Sequence, residues 1–356
     1  MQISIEALAA DARKPFPQNL TFGKYFSDRM FTQKWTADQG WYDAKIGPYG
    51  PFTLDPSTAV FHYAQEIFEG TKAYRRPDGN INLFRPWENI KRFNRSATRM
   101  AMQQVDPEEH LEAIVQLVTL EHEWVPNQDG ASLYIRPALI ATEPALGVHA
   151  SHSYLHFIIL SPVGPYFATG FNPVPVYISD DYVRAVRGGV GDAKTGGNYA
   201  ASLYVSEQVK ELGYQQVLWL DAAERRYVEE VGSMNIAFVY GDKRIVTPAL
   251  SGSILPGITR DSVLKLAPDL GYTIEEARLE VSDILRDLAK GEITEAFGLG
   301  TAAVVAPVSK FGYKEKEYVV GGGESGPVAK QLFQTLTDIQ YGRVADPYDW
   351  TITIKV

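Results

Sequence analysis

The residues best suited to chemistry lie in a glycine-rich segment around one lysine. Residues 188–199 read GGVGDAKTGGNY, so five glycines flank the amine of Lys194. Glycine allows positive φ and lets a backbone approach a ligand closely. Burial of a lysine disfavours its ammonium form, which makes the nitrogen a nucleophile and a base. The segment therefore predicts a reactive amine, with an exposed loop and a solvated charge as the alternative.

The same segment differs from a P-loop, which would bind nucleotide phosphates. That motif needs glycine directly before its lysine, and this chain has Ala193 before Lys194 and Thr195. The lysine of a P-loop also begins a helix, which Gly196 and Gly197 disfavour. The pattern argues against a nucleotide hydrolase, which magnesium-dependent nucleotide binding would reveal.

Three closely spaced histidines raise the question of a metal site. His149, His152 and His156 have a spacing that suits a helix, but the run from Tyr154 to Leu160 predicts a strand, which puts them on different faces. The sequence offers no nearby carboxylate pair to complete a ligand set. We therefore predict ordinary surface histidines and no metal.

Three segments of the second half of the chain could serve pyridoxal phosphate (PLP). This cofactor needs an amine for its aldehyde, an anion beside its pyridine nitrogen and donors around its phosphate. Residues 227–235 (YVEEVGSMN) offer a carboxylate before a turn, 255–260 (LPGITR) offer N–H groups at a helix start, and 300–302 (GTA) offer a turn with a hydroxyl. Each alone is also an ordinary structural turn. Together with Lys194 they favour a PLP enzyme.

Length and pattern predict two domains that position these residues. A chain of 356 residues with 45% hydrophobic content is long enough for two α/β domains. A run rich in proline and glycine suggests a linker at 163–174 between a small domain over 1–162 and a larger one over 175–356. Strands are predicted over 58–63, 70–74, 81–84, 132–142, 154–160, 176–178, 215–220 and 234–240, with an Asp-Gly hairpin turn at 77–80, and an apolar strand is predicted over 295–307 around a Gly-Thr turn. Helices are predicted over 86–100, 107–124 (from its apolar residues at helical spacing), 198–212, 259–267, 282–289 with Ser282 as N-cap, and 327–341.

Charge and cysteine content limit the partners. The net charge of -9 argues against nucleic-acid binding, and the absence of cysteine excludes disulfides and thiolate metal sites. The N-terminal residues do not read as a signal peptide, and the apolar runs are too short to span a bilayer. We expect a cytoplasmic protein without membrane contact.

Seven ordered segments resemble the branched-chain amino acid aminotransferases, which are fold-type-IV PLP enzymes. The resemblance runs from about residue 22 to the C-terminus. It implies a two-domain α/β (α+β) fold with a small N-terminal domain and a larger C-terminal domain with a barrel-like mixed-sheet core. The matching segments are residues 68–73 (FEGTKA), 134–137 (YIRP), 142–148 (TEPALGV), 189–194 (GVGDAK), 230–235 (EVGSMN), 255–260 (LPGITR) and 297–302 (FGLGTA).

The resemblance implies a role for each cofactor residue. Lys194 binds the cofactor covalently and moves a proton, Glu230 pairs with the pyridine nitrogen, and Tyr199 hydrogen-bonds the phenolic oxygen. The remaining contacts are Arg92, the amides of Ile258 and Thr259 and the hydroxyl of Thr301 on the phosphate, and Leu255 on the ring face.

It also implies an apolar substrate pocket and a homodimer. Leu146 and Val148 would reach the site of the partner subunit, Arg136 would bind the distal carboxylate of glutamate, and the amides of Thr301 and Ala302 the α-carboxylate. Phe22, Tyr63, Phe68, Tyr134 and Ala302 match the pocket, and Ser233 stands where many relatives have Thr.

The implied reaction is transfer of the amino group of leucine, isoleucine or valine to 2-oxoglutarate. Two alternatives keep the fold: a D-amino acid aminotransferase or an aminodeoxychorismate lyase, against which the apolar pocket and Arg136 argue. A third is a ligand-binding protein with an inactive site. Some relatives carry a Cys-x-x-Cys pair at the position of residues 303–306 (AVVA), so this chain lacks that thiol switch.

Overall fold

A computed structural model describes residues 2–9, 12–165 and 171–356, which form two compact units. The described residues of the first unit are those up to Pro165, Ala193–Gly196 and Asp338–Val356, and those of the second are Phe171–Asp192 and Gly197–Thr337. The domain ranges 1–162 and 175–356 stay a prediction. Part of the predicted linker over 163–174 lies outside the described residues.

The first unit is built on a nine-stranded sheet. The strand order is β1-β3-β2-β8-β7-β5-β6-β18, β4 pairs with β7, and all pairings are antiparallel except that of β1 with β3. The strands are β1 (Ser4–Ile5), β2 (Arg29–Thr36), β3 (Gly40–Pro48), β4 (Glu66–Phe68), β5 (Thr71–Arg75), β6 (Ile81–Phe84), β7 (Ser132–Ala141), β8 (Ser153–Val163) and β18 (Thr351–Ile354).

The helices of this unit are α1 (Ala59–Tyr63), α2 (Pro86–Arg99) and α3 (Pro107–Leu120), with a 3-10 turn at His122–Trp124. The predicted α2 and α3 are confirmed. Asp106 caps α3, because its side chain accepts hydrogen bonds from the amides of Glu108 (3.0 Å) and Glu109 (2.9 Å). The β5–β6 hairpin is also confirmed, with Gly79 at φ +87° in its turn.

The predicted strand over 58–63 is wrong, since these residues form the short helix α1. The amide of Thr58 donates to the carbonyl of Asp55 at 2.9 Å, and its hydroxyl donates to the same carbonyl at 2.6 Å. This local turn directs the chain into a helix, which ends at Ala64 in the left-handed region (φ 48°).

The second unit contains a closed six-stranded barrel. The nine-stranded sheet has the order β11-β10-β9-β16-β15-β12-β13-β14, with β17 paired to β16, and a further β11–β12 pairing closes its first six strands, β11 to β12, into the barrel. Strand β9 pairs in parallel with both β10 and β16, so the predicted mixed-sheet barrel is confirmed. The strands are β9 (Val174–Ser179), β10 (Gln216–Leu220), β11 (Val228–Val231), β12 (Met234–Tyr240), β13 (Arg244–Pro248), β14 (Thr273–Ala277), β15 (Ile293–Gly300), β16 (Val304–Tyr313) and β17 (Lys316–Val319).

The barrel interior is apolar, with fully buried Val176, Ile178, Leu218, Ile236 and Phe311 in one core. The remaining helices begin close to where the sequence predicts them. They are α4 (Gly196–Glu211), α5 (Ile258–Asp269), α6 (Val281–Lys290) and α7 (Pro327–Gln340), with a 3-10 turn at Gly321–Gly323.

One local prediction in this part of the chain is wrong. Ser282 is not the N-cap of α6, because the helix starts one residue earlier, with Glu280 at the N-cap position. The predicted Gly-Thr turn within 295–307 is confirmed, because the chain reverses at residues 301–303 and the two halves of the stretch pair as antiparallel strands. Over the described ranges, every helix is too short or too polar to cross a bilayer.

Candidate active site

The first unit holds Lys194 through its backbone. The amide of Lys194 donates to Ser96 Oγ on α2 at 2.9 Å, and its carbonyl accepts from the amide of Phe68 at 3.0 Å. Gly196 follows closely, and its amide donates to Glu66 Oε1 at 2.7 Å. A Cβ at Gly196 would lie 2.0 Å from that oxygen, so any other residue there would displace the Glu66 carboxylate from this contact. The Lys194 side chain is half-buried, with Nζ 4.9 Å from the ring centre of Phe68.

A buried ion pair lies within electrostatic range of this lysine. Arg92 on α2 donates from Nε to Glu69 Oε1 (2.6 Å) and from Nη2 to Oε2 (2.9 Å). Asn89 and the amide of Gly70 also donate to Glu69, at 2.8 and 3.0 Å. Burial alone would raise the pKa of Glu69, but the charge and hydrogen bonds of Arg92 and the charge of Lys194 lower it overall. Glu69 is not among the predicted site residues, although it lies in the FEGTKA segment.

Four predicted substrate residues of this unit contact one another. The rings of Phe22 and Tyr134 pack edge to face at 4.9 Å. The guanidinium of Arg136 lies 4.6 Å from the ring centre of Phe68, and its Nη2 donates to the Tyr134 hydroxyl at 3.2 Å. A Cβ at Gly70 would lie 1.9 Å from that hydroxyl oxygen, so the glycine makes room for the phenol. The cluster is an aromatic surface with one fixed guanidinium.

Tyr63 contacts the loop between β7 and β8, which carries Leu146 and Val148. The Tyr63 hydroxyl donates to the carbonyl of Leu146. Leu146 and Val148 are 63% and 85% exposed, so within the described part of one chain their side chains remain largely uncovered.

In the second unit, Glu230 is a buried carboxylate at the end of β11. Its Oε1 accepts from the amide of Leu255 (2.9 Å) and from Asn235 Nδ2 (3.4 Å). Nε of Arg184 lies 2.8 Å from Oε2, although it lacks the alignment of a hydrogen bond. Arg184 is itself buried and also donates to the carbonyl of Ser253. Arg184 is not among the predicted site residues, because it lies ten residues before Lys194 and belongs to none of the recognised motifs.

The start of α5 has the features of an anion site. Ile258 and Thr259 are the first two residues of this helix, and the amides of a first turn have no acceptor within the helix. Gly257 precedes them, and a Cβ there would lie 1.9 Å from Asn235 Oδ1. The helix start therefore packs directly on the side chain that also contacts Glu230.

The other predicted residues of this unit lie in turns or at a helix start. Thr301 and Ala302 are half-buried between β15 and β16, Tyr199 is half-buried in the first turn of α4, and Ser233 is exposed between β11 and β12. The donor types that PLP requires are present among the described residues, as a half-buried amine, a buried carboxylate and a helix start.

The predictions about the histidines need correction. His156 is not a surface residue: it is 1% exposed on β8, with its ring centre 4.8 Å from that of buried His110. His149 and His152 are exposed, but both lie beside Glu143, a carboxylate that the sequence analysis did not consider.

Comparisons with known proteins give a consistent result. The model of the class IV amino-transferases matches residues 66–311. The chain is 54% identical to branched-chain-amino-acid transaminase 1 of Bacillus subtilis over 96% of both chains. It is 47% identical to branched-chain-amino-acid aminotransferase 2 of that organism, over 99% of this chain and 97% of the relative.

Solved structures agree with this. The branched-chain amino acid aminotransferase of T.th., solved with pyridoxamine 5'-phosphate, is 28% identical, with a TM-score of 0.73 over 91% of this chain and 98% of that one. The branched-chain amino acid aminotransferase of Escherichia coli is 26% identical, also with a TM-score of 0.73, over 92% and 99%.

Proposed function

The chain belongs to the class IV amino-transferase family, and we propose that it reversibly transfers the amino group of L-leucine, L-isoleucine or L-valine to 2-oxoglutarate. The products are the branched-chain 2-oxo acid and L-glutamate, and the cofactor is PLP. When bound, PLP supplies the aldehyde that takes up the amino group and a ring that accepts electrons from the substrate Cα. The observation that carries the proposal is the half-buried amine of Lys194, whose charge acts on the buried carboxylate of Glu69, in a chain with these relatives.

Each proposed cofactor-binding residue has a role that suits its functional group. Lys194 Nζ would hold the cofactor covalently and, once released by the substrate amine, would carry a proton between the substrate Cα and the cofactor C4′. Glu230 would pair with the pyridine nitrogen, because Arg184 compensates its buried charge and the amide of Leu255 fixes its position. The remaining contacts are assigned to Arg92, Ile258, Thr259 and Thr301 for the phosphate, Tyr199 for the phenolic oxygen and Leu255 for the ring face.

One pocket must accept both an aliphatic side chain and the distal carboxylate of glutamate. Phe22, Phe68 and Tyr134 provide apolar surface, and we assign Tyr63, Ser233 and Ala302 to the same pocket. Arg136 provides the carboxylate partner, since contacts with Glu69, Tyr134 and Phe68 hold its guanidinium in place. Each methylene is worth about 1–3 kcal/mol in an apolar pocket, so leucine, isoleucine and valine should all react.

The proposal includes a homodimer and a cytoplasmic location. Exposed Leu146 and Val148 support the dimer, because large apolar side chains that are this exposed often mark an interface. Sedimentation of the wild type and of a Leu146→Asp variant would test it, with a shift to monomer expected for the variant. The lack of cysteine is compatible with a reducing compartment.

Mapping the covalent attachment tests the function most directly. The PLP-loaded protein is reduced with borohydride and digested, and the label is expected on Lys194. Lys72 is a suitable control, because it lies in the FEGTKA segment and burial lowers its pKa to about 8. Lys194→Ala should lose both label and turnover, whereas Lys72→Met should keep the label on Lys194.

A label on Lys72, or on no lysine, would overturn the assignment. The substrate class is tested separately by absorption spectra. Adding L-leucine should remove the signal of the bound aldehyde, and 2-oxoglutarate should restore it. D-alanine and aminodeoxychorismate should leave it unchanged, and a response to either would favour the corresponding alternative.

A further inference from the structure

Three side chains of the types that bind metals meet at the base of the loop between β7 and β8. Nε2 of His149 lies 3.4 Å from Oε1 of Glu143, and Nδ1 of His152 lies 3.2 Å from Oε2. One ligand atom from each of the three lies within 4.8 Å of the others. The proposed function uses none of these side chains.

The spacing is close to that of a tetrahedral zinc site. With bonds of about 2.0–2.1 Å, two ligand atoms of such a site are about 3.3 Å apart. The separations from the single oxygen Oε1 of Glu143 already match this value, since Nε2 of His149 and Nδ1 of His152 both lie 3.4 Å from it. The imidazole nitrogens must approach each other by at most about 1.5 Å, given the 4.8 Å limit. Both histidine side chains are exposed (41% and 70%), so they can rotate without disturbing the core.

The carboxylate is already fixed in position. The amide of His152 donates to Glu143 Oε2 at 2.7 Å, and the carbonyl of Glu143 accepts from the amide of Ala59 at 2.9 Å. Glu143 is therefore held in place by its neighbours before an ion binds, which reduces the cost of assembling a metal site.

We propose that Glu143, His149 and His152 form a binding site for a divalent transition-metal ion, with Zn²⁺ as the best fit. Two imidazoles, one carboxylate and water are ligands that zinc accepts, and a chain without cysteine has no thiolate to compete. Glu143 and His152 stand near the two ends of the loop, so a bound ion closes it across its base. Leu146 and Val148 lie inside the closed segment. If these residues reach the substrate site of the partner subunit, as the proposed function implies, a bound ion would also fix their position there.

Metal binding is measured without any substrate, so this test is independent of transamination. The holoenzyme is freed of metal with a chelator and titrated with Co²⁺ for its d–d absorption, and with Zn²⁺ by equilibrium dialysis. We expect one ion per chain and at least a tenfold weaker affinity in each of Glu143→Gln, His149→Gln and His152→Gln. The control is His122→Gln, whose imidazole Nδ1 contacts the carbonyl of Thr119 at 3.0 Å, and it should bind like the wild type.

A second readout follows the loop itself. Zn²⁺ should slow amide exchange over residues 144–151 in the wild type and not in His149→Gln. The absence of stoichiometric binding, or an equal loss of affinity in His122→Gln, would overturn the proposal. Lys194→Ala should lose transamination but bind Zn²⁺ like the wild type, so failure of one proposal is distinguishable from failure of the other.

Discussion

Replacing Glu69 with glutamine tests whether its ion pair with Arg92 stabilises the first unit. The substitution keeps the size of the side chain but removes the charge that faces the guanidinium at 2.6 and 2.9 Å. Arg92 is only 4% exposed and would be left buried without its counter-ion. Breaking a buried pair from one side costs about 3–5 kcal/mol. We expect the free energy of unfolding at pH 7 to fall by about that amount in Glu69→Gln.

The loss should depend on pH with a defined sign. The pKa of Glu69 in the folded protein is below the ordinary value of 4.5, so its stabilisation is fully present above pH 4.5. It is lost as the pH falls through the folded-state pKa, where the native carboxylate takes up a proton. The difference between wild type and Glu69→Gln should therefore shrink in acid.

Glu66→Gln is the matched control, with the same chemical change three residues earlier. Burial raises the pKa of Glu66, and the hydrogen bond from the amide of Gly196 offsets only part of this effect. Its ionised form is thus disfavoured by folding, and glutamine keeps an oxygen to accept that bond. We expect a loss below about 1 kcal/mol at pH 7. Urea unfolding followed by tryptophan fluorescence compares the variants, and equal losses in both, or a loss in Glu69→Gln that persists in acid, would refute the reasoning.

Two further predictions concern the same unit. Burial lowers the pKa of His110 from its ordinary 6.5 to about 4, although the charge of Glu69 opposes this shift. Between pH 4 and 6.5 the imidazole is therefore protonated in the unfolded chain but neutral in the folded protein, so the free energy of unfolding rises with pH over this range. In His110→Phe, the increase in the free energy of unfolding between pH 4 and 6.5, measured by urea unfolding, should be smaller by up to about 3 kcal/mol. An unchanged dependence of that free energy on pH would contradict the prediction. Gly70→Ala places a methyl group 1.9 Å from the Tyr134 hydroxyl oxygen, so KM for leucine should increase about tenfold, a change of about 1.4 kcal/mol. Gly50→Ala, which meets no atom within 4 Å, should leave KM unchanged, and a parallel rise in both variants would count against the steric argument.

Local features were readable because neighbouring residues determine them. The β5–β6 hairpin followed from an Asp-Gly turn, and α3 followed from the helical spacing of its apolar residues. The candidate residues Lys194 and Glu230 were found because each lies in a compact motif. The strand predicted over 58–63 was wrong, because the turn at Asp55–Thr58 leads the chain into a helix.

The partners of those residues depended on the tertiary structure. The contact between Lys194 and Ser96 spans 98 residues, and the pair of Arg92 with Glu69 spans 23 residues. Arg184 has no motif of its own, and His156 looked like a surface residue until the sheet buried it against His110. The sequence by itself determined which residues are candidates for the chemistry and where local turns and helices form, because turn, cap and periodicity preferences act over a few positions. Only the fold decided which charges are buried together, because strand register and desolvation are set by residues far apart in the chain.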